Sequence, residues 1–172
     1  MTLTQLHKIA PAASLKKLEV FYPHLVKYMT EYGIDTTARV SAFISQIIHE
    51  SGSFRYTQEI ASGKAYEGRK DLGNVKFGDG KRFKGRGLIQ ITGRSNYEQI
   101  SKFTGIDFLH TPTLLETPEY AVMSACWWWN SRSLNALADK YMFTAITKII
   151  NGGFNGLEER KEIYRIAQKT LS

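Results

Sequence analysis

A mainly helical α+β fold, with two sets of helices flanking a cleft of loops and a small β-hairpin element, is what this sequence predicts. Three observations predict it. Helical periodicity marks both ends of the chain, it disappears between Ser51 and Gly87, and nine of the 14 glycines lie from Gly52 to Gly93. The 172 residues, 42% of them hydrophobic, suffice for one domain with a real core. No repeat, low-complexity tract or linker divides the chain, so residues 1–172 are read as a single domain.

From Leu15 to Tyr32 the apolar positions Leu15, Leu18, Phe21, Leu25 and Met29 keep helical spacing. Pro23 is expected to break this run into two helices and Gly33 to end the second. Asp35 or Thr36 can cap the next helix, whose Val40, Phe43, Ile44, Ile47 and Ile48 form one apolar face. In the glycine-rich middle, "GRGLIQIT" (Gly85 to Thr92) reads as a short strand, because Leu88, Gln90 and Thr92 alternate with Ile89 and Ile91. Pairing with the preceding "VKFGDGKRF", through a turn near Gly78-Asp79-Gly80, would complete the hairpin. Helices resume from Ser95 to Thr104, closed by Gly105, and again after Thr117-Pro118-Glu119, an N-cap followed by proline at the first helical position. "AVMSACWWWN" is expected to be the central buried helix. Two more follow, Thr144 to Ile150, ended by "NGG", and Leu157 to Leu171.

A net charge of +7 favours an anionic partner, and nucleic acid, acidic lipid and a bacterial cell wall all qualify. The single cysteine, Cys126, has no partner for an internal disulfide and, beside three tryptophans, reads as a small buried side chain. The N-terminal "MTLTQLHKIAPAASLKKLEVFYPHL" has no signal-peptide pattern, and no later stretch approaches the ~20 apolar residues of a membrane span. Stable membrane insertion is therefore not expected.

The carboxylates hold the chemical interest. Glu50 ends the best-patterned helix on or beside its apolar face, where partial burial and the negative end of the helix dipole both disfavour the anion. That suits a general acid; the plainer reading is a glutamate turned to solvent or paired with an arginine such as Arg55 or Arg86. The His49-Glu50 pair resembles part of a zinc-peptidase motif, but the position that would hold the second histidine is Ser53, and no metal site is expected. Inverting glycoside hydrolysis needs a second carboxylate ~6.5–9.5 Å from the acid, and position alone leaves both Glu59 and Glu67 open. Gln90 and Thr92 would share one face of the expected strand, with Asn96 soon after, in reach of a water and sugar hydroxyls.

"HESGSF" with Glu59 nine residues after Glu50, then "AYEGRKDLGN", "GDGKRFKGRGLIQITGRSNY", "WWWN" and "IINGG", resemble the family 19 glycoside hydrolases, and among them the chitinase-like endolysins of phages and prophages. The resemblance runs from about Ala38 to Tyr164; the first 35 residues match only in being helical. It implies a lysozyme-like two-lobed fold with a central cleft, no cofactor, and Glu50 as general acid. It favours Glu59 over Glu67 as general base, because the short bacterial members place theirs nine residues on. Thr92 falls on the residue that positions the attacking water. Gln90, Asn96 and Asn151 fall on substrate-contacting positions, and Tyr66 on a sugar-contacting aromatic. Arg160, with Tyr164 four residues on, falls on the arginine that braces the catalytic carboxylates. His49 would support the site from behind.

The polymer stays open between peptidoglycan and chitin. Charge favours peptidoglycan, whose lactyl and peptide groups are anionic, so the expectation is a muramidase-type endolysin and, second, a chitinase. Its partners would be glycan strands and the anionic wall surface, not nucleic acid. A monomer held in the host cytoplasm until release to the wall completes the expectation. A catalytically silent wall-binding protein is the alternative of another class. The C-terminal "LEERKEIYRIAQKTLS" reads as a packed helix with a solvated face, or as an amphipathic aid to contact with an outer membrane.

Overall fold

The computed structural model describes all 172 residues, and helices dominate it. In chain order they are α1 (Leu3–Ile9), α2 (Leu15–Glu31), α3 (Thr37–Glu50), α4 (Asp79–Arg82), α5 (Arg94–Thr104), α6 (Pro118–Ser131), α7 (Leu134–Asp139), α8 (Phe143–Asn151) and α9 (Leu157–Leu171). Single 3₁₀ turns occupy Lys64–Tyr66, Lys70–Leu72 and Pro112–Glu116. The helical lobe joins α1, α2, α3 and α6 to α9, with α3 packed along α9 and α2 along α6. The loop lobe spans the glycine-rich middle, where α4 and α5 pack chiefly on the 3₁₀ turns.

Local signals place most of these helices. Thr36 rather than Asp35 caps α3, its side chain accepting from the Arg39 N–H at 3.2 Å. Gly33 ends α2 in a left-handed conformation, and the Ile34 N–H reaches back to the Met29 carbonyl at 2.7 Å. In α6 the residues Ala121 to Trp127 and Trp129 are buried, as expected for a central helix, and Cys126 lies among them. Pro118 takes the first position of that helix, while the Thr117 hydroxyl donates to the Leu114 carbonyl instead of capping. One core of 38 buried residues runs through both lobes, from Leu6 and Leu18 through Ile47 and Trp129 to Phe83, Ile91 and Ile100.

Two expectations are corrected. Pro23 does not split α2, which continues unbroken from Leu15 to Glu31. The proline is exposed, so the carbonyl it leaves unpaired faces water, while Phe21 and Leu25 on the opposite face stay anchored in the core. The hairpin between "VKFGDGKRF" and "GRGLIQIT" does not form either: the first segment is turns and α4, and the second is a tight loop. Gln90 takes a left-handed φ of 58° inside that loop. What remains of a sheet is Arg86, bridged antiparallel to Gln58 on one side and to Ile91 on the other. Alternation in so short a segment reports burial on two sides as well as it reports a strand. Leu88, Ile89 and Ile91 are indeed all buried.

Candidate active site

The acid candidate sits where the helical lobe meets the loops. α3 ends at Glu50, and Gly52, Ser53 and Phe54 follow in three successive left-handed conformations. For Ser53 and Phe54 this costs ~1–2 kcal/mol each. Burial of Phe54 against Phe21, with ring centroids 5.4 Å apart, and the Ser51 hydroxyl accepting from the Phe54 N–H at 2.8 Å offset it. The chain thereby turns sharply away and leaves Glu50 at the edge of a cleft of about 420 Å³.

Arg160 of α9, almost wholly buried, donates to Glu50 Oε1 at 2.5 Å and to Gln46 Oε1 at 2.5 Å. Gln46 lies one turn before Glu50 on α3, so one guanidinium spans two carbonyl-type oxygens on the same helix face. The Gln46 amide donates in turn to Thr147 Oγ1 of α8 at 2.8 Å, which fixes which way that amide points. Three helices thus converge on one carboxylate. Arg160 occupies Oε1, whereas Glu50 Oε2 makes no hydrogen bond to the protein. Neither Arg55 nor Arg86 is the partner: Arg86 is bonded to Glu116 at 2.7 Å. His49 turns the other way and packs its ring on Gly156, at the start of α9, where an added Cβ would lie 2.3 Å from its Cε1. Its Nδ1 stands 3.0 Å from Glu159. It therefore anchors the helix that carries Arg160.

Glu59 is held by backbone. Its Oε2 accepts from the Gly85 N–H at 2.8 Å, and its own N–H donates to the Gly85 carbonyl at 2.9 Å. A Cβ at Gly85 would lie 2.8 Å from both Glu59 Oε2 and Gln90 Oε1, so only glycine allows the two side chains to close over it. Lys84 Nζ fixes the same segment by donating to the carbonyls of Glu59 and Ala61. Glu59 Oε1 and Gln90 Oε1 are buried without a protein partner, and both side chains line the cleft with Glu50. Tyr66 stands beside Glu59. Burial first, and the Glu59 charge second, push its phenol above the ordinary range, so it stays a donor.

Thr92 lines the same cleft, and its hydroxyl donates to the Gln90 carbonyl at 2.9 Å, which leaves its oxygen lone pairs to accept from a water. Among the expected site residues, then, Glu50, Glu59, Tyr66, Gln90 and Thr92 come together around one cleft, with Arg160 behind it. Asn96 and Asn151 do not line it. Asn96 donates to the Thr92 carbonyl at 2.7 Å and so holds Thr92 in place. Asn151, at the end of α8, accepts from the Asn155 N–H at 3.2 Å and braces the loop before α9. Glu67 is spent elsewhere: its two oxygens accept from the N–H groups of Gly78 and Gly80 at 2.6 and 2.8 Å, clamping the start of α4. Sequence reasoning missed Gln46, Thr147 and the cleft-lining Tyr56 and Ile60. A long amide side chain one turn before Glu50, between Ile44 and Ile47 of the apolar face, was the available signal for Gln46.

Residues 28–138, well over half of the chain, match the glycoside hydrolase family 19 described as chitinase class I. A glycosyl hydrolase family 19 domain-containing protein of Haemophilus influenzae is 29% identical over 87% of this chain and 92% of its own length. An endochitinase of Arabidopsis thaliana is 33% identical over 83% of the chain, which spans half the length of that relative. Among solved structures, chitinase C from Streptomyces griseus superposes over 99% of this chain and 76% of its own, with a TM-score of 0.81 at 20% identity. A bacterial family 19 chitinase does so over 99% and 94%, with a TM-score of 0.82 at 18% identity. At such identities these two likenesses are of fold. The family match ends before Asn151 and Arg160, so the place of Arg160 rests on the geometry above.

Proposed function

The chain belongs to glycoside hydrolase family 19, chitinase class I, and on that premise we propose that it is an inverting endolysin cutting the β-1,4 glycosidic bonds of bacterial peptidoglycan. The observation that carries the mechanism is the pair of carboxylates on one cleft, each held differently. Glu50 protonates the leaving glycosidic oxygen from Oε2, the oxygen that Arg160 leaves free. Glu59 Oε1, which has no protein partner, takes a proton from a water as that water attacks the anomeric carbon. The Thr92 oxygen accepts the water's other hydrogen and so turns a lone pair toward the sugar. Gln90 and Tyr66, on the same cleft, supply hydrogen bonds and an aromatic face to the sugar rings. Asn96 and Arg160 act through Thr92 and Glu50.

The net charge of +7 supports peptidoglycan over chitin, since chitin carries no acidic groups to attract it. As part of the same reading, the protein acts on the wall as a monomer after release from the host cytoplasm. The second reading is a chitinase, favoured by the Arabidopsis and Streptomyces relatives, which are an endochitinase and a chitinase. A zymogram on purified peptidoglycan beside colloidal chitin, with the new reducing-end sugar identified by mass spectrometry, separates the two. Clearing of chitin alone overturns the first. Glu50→Gln is expected to lower kcat by about 10²–10⁴-fold, the usual worth of a positioned general acid. Undiminished lysis by that variant would mean a non-catalytic wall-binding protein instead.

A further inference from the structure

A second cleft, of about 470 Å³, opens on the loop lobe and shares no lining residue with the catalytic one. Its ionisable lining groups are Lys81, Arg82, Arg86 and His110, with Thr111 and Thr113 beside them, and no carboxylate. The acids of the segments that build it are already committed: Glu116 to Arg86 and Gln58, Asp79 to Arg94, and Asp107 to His110. Arg82 is not a loose surface chain. Its Nε and Nη2 donate to the Leu109 carbonyl and Nη2 also to that of His110, which fixes the guanidinium in the wall. Lys81, by contrast, makes neither an ion pair nor a side-chain hydrogen bond. Nine of the 23 basic and four of the 16 acidic residues lie between Ser51 and Gly93, so a quarter of the chain carries five of its seven net charges. Phe77, which immediately precedes Gly78 of the cleft lining, is fully exposed.

A fixed guanidinium, a free ammonium and two threonines suit the oxyanions of a ligand. An aromatic ring standing free in water suits the apolar face of a sugar. The cations line a cleft rather than a convex face, which fits a strand better than a lipid surface. The same lobe forms one wall of the glycosidase cleft, so a neighbouring strand of the same polymer is at hand.

We propose that this cleft is a non-catalytic binding site for a strand of acidic glycan, and that it holds the enzyme on an insoluble polymer while the catalytic cleft cuts. The choice of polymer rests on the wall reading above; the site itself does not. The test is co-sedimentation of the full-length Glu50→Gln protein with purified peptidoglycan at low and at moderate salt. Adding Lys81→Glu is expected to weaken binding roughly tenfold at low salt, and Phe77→Ala several-fold. Lys140→Glu, at the exposed end of α7, should change nothing. With Glu50 restored, Lys81→Glu should cleave, at the wild-type rate, a short soluble glycan fragment of whichever polymer the wild type cuts. Unchanged sedimentation of both cleft variants would overturn the proposal. So would an equal loss in Lys140→Glu, which would mean bulk charge, or tighter Lys81-dependent binding of single-stranded DNA than of peptidoglycan. If the wild type cuts only chitin while sedimentation with peptidoglycan still depends on Lys81, the substrate reading falls and the site stands.

Discussion

The two lobes hold their glutamates by opposite means. In the helical lobe Glu50 ends a long helix and is fixed by one buried guanidinium that itself hangs on two other helices. In the loop lobe Glu59 lies in irregular backbone, pinned by the Gly85 N–H and carbonyl. The surrounding loops are tied together by buried polar hubs rather than by periodic apolar faces. Arg86 joins Glu116, Tyr97 and the Arg82 carbonyl, and Arg94 joins Asp79 to Asn74. A helix end can be held by a few side-chain bonds reaching in from other helices, whereas a loop needs many local bonds to its own backbone to keep a carboxylate still. The first arrangement should fail by losing stability, the second by losing geometry.

Four substitutions would break or sharpen that contrast. Arg160→Met should be the most damaging, because removing one partner of a buried pair strands the other and costs about 3–5 kcal/mol; denaturant unfolding would register it, and activity should vanish with it. Gly85→Ala should leave the unfolding midpoint nearly in place. Activity on a soluble oligosaccharide should nonetheless fall on the order of 100-fold, since displacing a catalytic group by ~1 Å has that effect. An equal loss of stability in Gly85→Ala would remove the distinction between the lobes.

The third concerns acid. Hydrogen bonding to Arg94, ahead of the opposing effect of burial, holds the Asp79 carboxyl below its ordinary value of 3.8. A depressed carboxylate contributes stability that is complete above the unfolded pKa and is lost as pH falls through the lower folded one. The loop lobe should therefore loosen below about pH 4, and Asp79→Asn should cost about 2 kcal/mol at pH 7 while flattening that acid limb. Thermal melts from pH 7 to 2 would follow both. Thr147→Val should have the smallest effect, about 1 kcal/mol for one buried hydrogen bond. Because it frees the Gln46 amide to turn its NH₂ against Arg160, kcat should drop several-fold with KM unchanged. A pure stability loss with wild-type kcat would show that Thr147 only packs.

The C-terminal helix illustrates how far pattern reading reaches. Its bounds, Leu157 to Leu171, were legible from periodicity and from "NGG" before it. That Arg160, Tyr164 and Ala167 form its buried stripe was legible too, though only as a generic amphipathic face. Its outward charges pair among themselves, Lys161 with Glu158 and Arg165 with Glu162, which leaves a solvated face on a packed helix. The loop lobe was legible as a region and not as a structure. Alternation at Leu88 to Thr92 looked like a strand because both sides of a tight buried turn are apolar there. No i, i+4 or i, i+2 rule encodes a hub such as Arg86.

By itself, then, the sequence determined the longer helices, apart from the continuity of α2 through Pro23, together with the irregular middle and the seat of Glu50, because periodicity and capping act over four or five residues. The spacing of nine residues and the motifs around it carried the family and singled out Glu59. Only the tertiary structure decided that Glu67 clamps α4 while Glu59 opens on the cleft, and that Asn96 and Asn151 brace backbone instead of lining the site. It alone decided the Thr147–Gln46–Arg160–Glu50 chain, whose links join residues 101, 114 and 110 positions apart. The physical reason is range. A buried polar group takes whichever partner packing brings within 3 Å, and that choice is made by the whole core at once.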